Sequence, residues 1–421
     1  MKVADVIGTV CEGTPSVRFT AYDGSSLGPA DSAYEVRLNN ERGLRYLLTA
    51  TGDLGLARAY VSGDLDLLGV HPGDPYAALR ALQGMHLRRP SAREAATLLR
   101  GVGLRRFVPP AAPPEEAPAP WRRRLEGLRH SRARDADAIE QHYDVSNAFY
   151  EKVLGPSMAY TCAVYAKPEN SLGEAQEAKF DLVARKLGLE PGMRLLDVGC
   201  GWGGMARHAA RHYGTRVVAV TLSGRQSAWA REAVERDGLS DRVTVLHADY
   251  RDSPGRDYDA VSSIGLLEHV GVRNYGRYFG FIEGKLRDEG RLLNHCITRA
   301  DNRSRALSGA FIDRYVFPDG EITGSGRIIS EAQDAGLEVR HEENLREHYA
   351  LTLQAWNANL VEHWDACVAD VGEGTARVWG LYMAGSRMSF EENSIQLHQV
   401  LAVKVGPSGD AAFPLRPAWE S

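Results

Sequence analysis

Leu195-Leu196-Asp197-Val198-Gly199-Cys200-Gly201-Trp202-Gly203 is the stretch that decides the fold. An apolar run ends in an acidic residue, three glycines then alternate with other residues, and a helical pattern follows over 205–213. That order predicts a buried strand, a tight turn and a helix N-terminus, the place where α/β sheets hold nucleotide-like ligands. Glycine in the turn lets the backbone approach a ligand that a Cβ would block.

Working outward, strand candidates at 194–198, 216–221, 243–247, 260–264 and 290–297 alternate with helical stretches such as 226–237. This is the pattern of a doubly wound, Rossmann-like α/β sheet. Two more strand candidates follow at 337–341 and 396–405. The tail after Gly406 is rich in Pro and Gly and is expected to be loosely ordered. Residues 1–106 read as a smaller N-terminal α+β domain. Apolar positions recur at helical spacing over 44–60 and 76–87, and alternate over 17–22 and 34–38. Residues 107–134 read as a linker, Pro-rich over 109–120 and expected to be extended or mobile, then basic. Residues 135–421 form the expected ligand-binding α/β domain.

The chain has 421 residues, 25% charged and 43% hydrophobic, an ordinary soluble balance with no run of membrane-spanning length. Residues 1–10 lack the layout of a secretory signal. The five cysteines are scattered and no pair has metal-site spacing, so no metal site is expected and a reducing cytoplasm is. Net charge is -5, yet between Arg88 and Arg134 stand twelve Arg against four Glu and no Asp. Such a stretch suits an anionic partner, a membrane surface or a nucleic acid, or else a solvated linker. Trp121, Leu125 and Leu128, with the arginines, suit a helix lying on lipid or one packed on the next domain.

The glycine turn alone does not select a cofactor. Here it continues Gly203-Gly204-Met205-Ala206 without a phosphate cradle. The next strand ends Thr221-Leu222-Ser223 and not in the acidic residue that holds a dinucleotide ribose. Asp249 and Tyr250 follow the third strand, where an adenine would lie. Together these point to S-adenosylmethionine.

The sequence also resembles the cyclopropane-fatty-acyl-phospholipid synthase and mycolic acid methyltransferase family over about 138–405. The resemblance is carried by Gln141-His142-Tyr143-Asp144-Val145-Ser146-Asn147, Met158-Ala159-Tyr160-Thr161-Cys162-Ala163-Val164-Tyr165, the glycine turn, Thr221-Leu222-Ser223, Ser263-Ile264-Gly265-Leu266-Leu267-Glu268-His269-Val270-Gly271 and Phe311-Ile312-Asp313-Arg314-Tyr315-Val316-Phe317-Pro318-Asp319-Gly320. It implies a methyl or methylene transfer from S-adenosylmethionine to the cis double bond of a lipid acyl chain. It implies cofactor contacts at Tyr160, Thr161, the stretch from Asp197 through Gly199 and Gly201 to Gly203, Thr221, Leu222, Gln226, Tyr250 and Arg251. It further implies a bicarbonate ion acting as base, held by Cys162, Glu268, His295, the Ile297 main chain and Tyr349. Some relatives carry a cysteine four residues before the position of Phe390; here it is Ser386, so no thiol nucleophile stands there.

An alkene attacking a sulfonium methyl leaves a carbocation, which demands positioning and a dry pocket. Aromatic faces stabilise a cation, and Tyr160, Tyr315, Phe317 and Trp356 are candidates, with core packing the plainer reading for Phe317 and Trp356. Glu268 beside an anion requires a shared proton, with His295 a candidate relay. Read without the resemblance, Glu268 is a helix cap, His295 and Cys162 are core residues and Tyr349 is an ordinary helix-start residue. His142 and Tyr143 are candidates for a lid. The product is expected to be a cyclopropane; the alternative is a 10-methylene chain that a separate reductase saturates. A small-molecule methyltransferase and a lipid-binding relic of the fold are the competing functions. The expected setting is cytoplasmic and peripheral, at an anionic inner membrane face carrying phospholipid acyl chains. No nucleic acid is expected as a partner, and the N-terminal domain is expected to present lipid or form a homodimer.

Overall fold

A computed structural model describes residues 1–12, 16–50, 52–83, 86–87, 91–118, 146–304, 309–417 and 419. The residues group into two compact units. One comprises Met1–Ala119, Gly309–Pro318 and Trp356–Met388; the other comprises Pro120–Ser308, Asp319–Ala355 and Ser389–Ser421. The boundaries expected at 106 and 134 thus differ from the compact units, because two later segments group with the N-terminal residues. Leu381 packs on the core of Phe19, Leu38 and Leu44, and Asn357 Nδ2 donates to the Gly73 carbonyl at 2.7 Å. Packing follows apolar faces and buried hydrogen bonds, whatever the distance along the chain.

The first unit carries β1 (Cys11–Glu12), β2 (Arg18–Ala21), β3 (Ser26–Leu27), β4 (Glu35–Leu38), β5 (Leu65–Leu68) and β6 (His86–Leu87). Four of them form a sheet in the order β3-β2-β4-β5, and β1 pairs with β6. The helix expected over 44–60 is two helices, Glu41–Thr49 and Asp53–Val61. Gly52, at φ 69°, redirects the chain between them. The helical pattern over 76–87 ends at Leu82, and His86–Leu87 is a strand.

The Pro-rich segment departs from the expected free linker as far as it is described. Arg45 and Tyr46 donate to the carbonyls of Val108 and Ala111. Glu116 is buried between Arg58, at 2.6 Å, and Arg314. Proline removes a backbone donor but leaves every carbonyl able to accept, so side-chain donors can pin such a segment. Residues 122–134, with the basic run, lie outside the described residues.

The second unit is built on a seven-stranded sheet of β7 (Arg194–Val198), β8 (Arg216–Thr221), β9 (Val243–His247), β10 (Tyr258–Ile264), β11 (Leu286–Arg299), β12 (Leu337–Asn344) and β13 (Ile395–Lys404). The order is β12-β13-β11-β10-β7-β8-β9. The pairings from β11 through β10, β7 and β8 to β9 are parallel, while β13 runs antiparallel to both its neighbours. Alternate residues face opposite cores: Leu195 and Leu293 pack with Val183, Ala206 and Ala230, whereas Leu196 and Leu292 pack with Phe279, Ile282 and Ile328. Helices therefore cover both faces, as a parallel sheet requires. The tail is better anchored than its composition suggests: Trp419 is buried in one of these cores and its carbonyl accepts from Arg185. Among the described residues no helix is long and apolar enough to cross a membrane.

Candidate functional site: a cavity at the glycine turn

β7 delivers Asp197 to the carboxyl end of the sheet, where the chain turns through Gly199, Gly201 and Gly203 at φ 76°, 54° and 77°. These left-handed positions let the N–H groups of Gly199 and Cys200 both reach the Val220 carbonyl, each at 2.9 Å. A Cβ on Gly199 would stand 3.1 Å from Leu266, whereas one on Gly201 would meet nothing nearer than Gln226 Nε2 at 4.0 Å. Gly201 is therefore the glycine that keeps the ligand space open, and Gly199 and Gly203 serve the turn itself.

Around this turn lies an open cavity whose empty space, counted out into solvent at its mouth, is about 900 Å³. Of the residues named for cofactor contact, Tyr160, Thr161, Asp197, Gly199, Gly201, Thr221, Leu222, Gln226 and Tyr250 line it. Gly203 and Arg251 are not among the lining residues. Arg251 instead forks onto Asp249, with Nε 2.7 Å from Oδ1. Thr221 Oγ1 donates to Gln226 Oε1 at 2.8 Å, fixing both side chains at the cavity wall. Trp202 is held by a hydrogen bond from Nε1 to Asn147 at 3.0 Å and packs on Tyr150.

Among the lining residues that sequence reasoning did not name as site residues, such as Phe180, Leu266 and His269, Lys179 carries a charge into the cavity. It is buried, and its Nζ donates to Thr161 Oγ1 at 3.0 Å and lies 3.9 Å over the Phe180 ring. Its other donors have no partner among the described residues. Burial pushes its ammonium down to about 7, the nearby thiol and carboxyl groups notwithstanding. Asp197 takes a hydrogen bond from Ser262 at 2.7 Å on one oxygen, and its other oxygen is buried without a partner. Burial pushes this carboxyl up to about 6. The cavity thus offers an unsatisfied donor and an unsatisfied acceptor, which suits a ligand with a zwitterionic amino-acid end. The sequence did hold a signal for Lys179. It shares a helical stripe with Ala175 and Val183, both buried.

A second group gathers where β11 and β13 pair. Glu268, just after β10, accepts the Ile297 N–H at 2.7 Å on Oε1, and its Oε2 is buried with no partner among the described residues. Burial pushes its carboxyl up to about 7. His295 stands two residues before Ile297 on the same strand face, buried, with Nε2 lacking a partner among the described residues. Burial holds its imidazole well below the usual range, so the ring is neutral. Ile297 is in register with Leu397, whose carbonyl takes the Leu345 N–H at 2.8 Å. The Leu345 carbonyl in turn accepts the Tyr349 N–H at 3.2 Å and lies 3.8 Å from Cys162 Sγ. Tyr349 stacks on Phe390 at 4.6 Å. Glu268 thus reaches Ile297 directly, and hydrogen bonds through Leu345 and Leu397 connect the segments that carry Ile297, Tyr349 and Cys162. Cys162 is buried and its thiol is pushed up by that burial, so it is inert as a nucleophile.

A family model described as mycolic acid cyclopropane synthetase matches residues 130–400. The chain belongs to this family. A probable fatty acid methyltransferase of Mycobacterium tuberculosis is 60% identical to this synthetase-family chain over 409 residues, 97% of the chain and 96% of the relative. The cyclopropane-fatty-acyl-phospholipid synthase of Escherichia coli strain K12 is 36% identical over 262 residues, 62% of this chain and 66% of its own length. A solved mycolic acid cyclopropane synthase complexed with SAH and CTAB superimposes with a TM-score of 0.60 at 31% identity, covering 63% of this chain and 97% of that one. The family member described here is accordingly an S-adenosylmethionine-dependent methyltransferase.

Within the synthetase-family chain, the aromatic candidates separate. Tyr160 lines the cavity. Tyr315 belongs to the first unit, where its hydroxyl donates to Glu116 at 3.3 Å, and Phe317 packs edge-on to Tyr382 in the same unit. Trp356 is fully buried there. His142 and Tyr143 lie outside the described residues. Cysteine spacing gave no reason to expect a metal, but the fold brings ligand atoms of Glu177, His208 and His212 within 4.8 Å of one another. His208 Nδ1 and Glu177 are already hydrogen-bonded at 2.9 Å.

Proposed function

We propose that the protein transfers a one-carbon unit from S-adenosylmethionine to the cis double bond of phospholipid acyl chains, giving a cyclopropane, with bicarbonate as the proton acceptor. The observation that supports the reading is the cavity at the glycine turn together with a second polar group in which Glu268 Oε2 and His295 Nε2 are buried with no partner among the described residues. The family relatives act, by their names, on fatty acyl chains, and one is complexed with SAH together with CTAB.

When bound, the cofactor supplies an electrophilic methyl carbon on a cationic sulfur. Lys179 and Asp197 offer complementary charge to its amino-acid end, and the turn at Gly201 admits it. Tyr160 presents an aromatic wall to positive charge developing on the lipid chain. A bicarbonate held at the second group would supply a small base that fits a narrow apolar space. Glu268 is suited to hold it: burial raises its carboxyl to about 7, which favours the protonated form, and a protonated Oε2 donates to an oxyanion instead of repelling it. The Arg-rich residues 122–134 suit an approach to anionic lipid.

A second reading has its own support. A relative that matches over 97% of the chain is named a probable fatty acid methyltransferase. Proton loss from the adjacent chain carbon would give a 10-methylene product, the precursor of a 10-methyl branch. The deciding experiment incubates the purified chain with S-adenosylmethionine and vesicles of unsaturated phospholipid, followed by lipid mass spectrometry. A gain of one CH₂ per acyl chain supports the transfer, and fragmentation separates ring from branch. No gain with any unsaturated lipid refutes the reading. Removing dissolved carbonate is expected to slow the reaction, and an unchanged rate refutes bicarbonate as the acceptor.

A further inference from the structure

A row of buried polar side chains crosses three strands behind the second group. His295 on β11 is in register with Gln399 on β13, and Gln399 is in register with Glu343 on β12. Lys186, from the helix Leu172–Leu187, reaches this row, contacting the Glu343 carboxylate and standing 2.8 Å from Gln399 Oε1. Gln399 Nε2 lies 3.2 Å from His295 Nδ1. Lys186, Gln399 and His295 are all essentially inaccessible to solvent, at 0%, 0% and 1% exposure.

The polarity of this row follows from what each group is able to do. An ammonium only donates, so the Gln399 atom facing Lys186 is the carbonyl oxygen. The amide nitrogen then faces His295, and an amide NH₂ only donates. His295 Nδ1 must therefore accept, and carries no proton. A neutral imidazole with a bare Nδ1 has its proton on Nε2. That atom is the one left buried without a partner.

We propose that Lys186 and Gln399 are positioning residues that lock His295 into the Nε2–H tautomer, so that His295 meets the reaction site as a fixed hydrogen-bond donor and not as a base. The lock favours an anion or another acceptor at that point, since a cation or a donor hydrogen would face an N–H it cannot use. It also removes His295 as a relay that takes up the substrate proton. That role would require a free ring nitrogen on the site side, and the free nitrogen points to Gln399. The tautomer stands on the buried row alone; its catalytic consequence rests on the base-site reading given above.

The test uses the full chain labelled with ¹⁵N-histidine, with the His295 signals identified by their loss in His295→Gln. Long-range ¹H–¹⁵N spectra at neutral pH are expected to show a protonated Nε2 and a bare Nδ1 for His295. A protonated Nδ1, or a doubly protonated ring, overturns the lock. Gln399→Glu places an acceptor against Nδ1 and is expected to flip the tautomer. Turnover is then expected to fall on the order of 10²-fold or more, as when a catalytic imidazole is held in the wrong tautomer, with SAH affinity changed less than about 3-fold. Should Gln399→Glu fail to fold, Gln399→Leu removes the donor, and a mixture of both tautomers is expected. A flipped tautomer with undiminished turnover overturns the positioning role. If the wild-type tautomer is as expected but carbonate removal leaves the rate unchanged, the bicarbonate reading fails and the lock stands.

Discussion

Replacing Glu268 by Gln keeps an oxygen for the Ile297 N–H and removes the titrating proton. Turnover is expected to fall on the order of 10²-fold or more, as when one aligned polar group is lost from a dry site, while SAH still binds; the check is a pair of kinetic and calorimetric titrations. The same residue carries a pH signature. Its carboxyl, ordinarily at 4.5, is raised to about 7 by burial. Between those values the unfolded chain has released the proton and the folded chain still holds it, so this group's contribution to stability is full below 4.5 and is lost as pH rises through about 7. Relative to wild type, Glu268→Gln is expected to gain stability from pH 5 to pH 8, by at most about 3 kcal/mol, in urea titrations at the two pH values. At this scale one of the blocks that carry the family resemblance contains Glu268, whereas His295 lies in none of them and was named through the resemblance alone. A lone lysine in a helix looks like a solvated residue until its stripe is shown to be buried, which is why Lys179 escaped notice.

The glycine turn sets the element scale. Gly201→Ala puts a methyl group toward the ligand space at a position with φ 54°, with no protein atom nearer than 4.0 Å. The conformational strain is on the order of 1 kcal/mol, so the fold is expected to survive with a melting temperature a few degrees lower. SAH affinity is expected to fall by about 10-fold or more, since the backbone there approaches the ligand; calorimetry of the variant checks it. All seven strands of the large sheet were legible: buried parallel strands such as β7 and β8 write near-unbroken apolar runs, whereas the antiparallel β12 shows only Leu337 and Val339 as apolar positions at its start. The helix break at Gly52 was not legible, since the apolar spacing continues across it and only the positive φ reveals the turn.

At the scale of the molecule, the first unit rests in part on one enclosed carboxylate. Glu116→Ala would leave Arg58 and Arg314 facing each other without their counter-charge, and is expected to destabilise that unit by about 3–5 kcal/mol, read by denaturant unfolding. Composition gave no hint of this, because a Pro-Ala-Glu segment reads as solvated until the arginines that meet it are placed by the fold. Sequence order also misled on the grouping of 309–318 and 356–388, whose apolar faces find partners far away along the chain. The arrangement of the large sheet has a further consequence for biosynthesis. β13, last of its strands in the sequence, sits inside the sheet between β11 and β12. A nascent chain leaving the ribosome therefore exposes two bare strand edges until Ile395–Lys404 emerges, and such edges invite pairing with neighbouring chains. Chains stalled or cleaved before Ile395 would be natural clients of chaperones, while the finished polypeptide closes the gap with its own final strand.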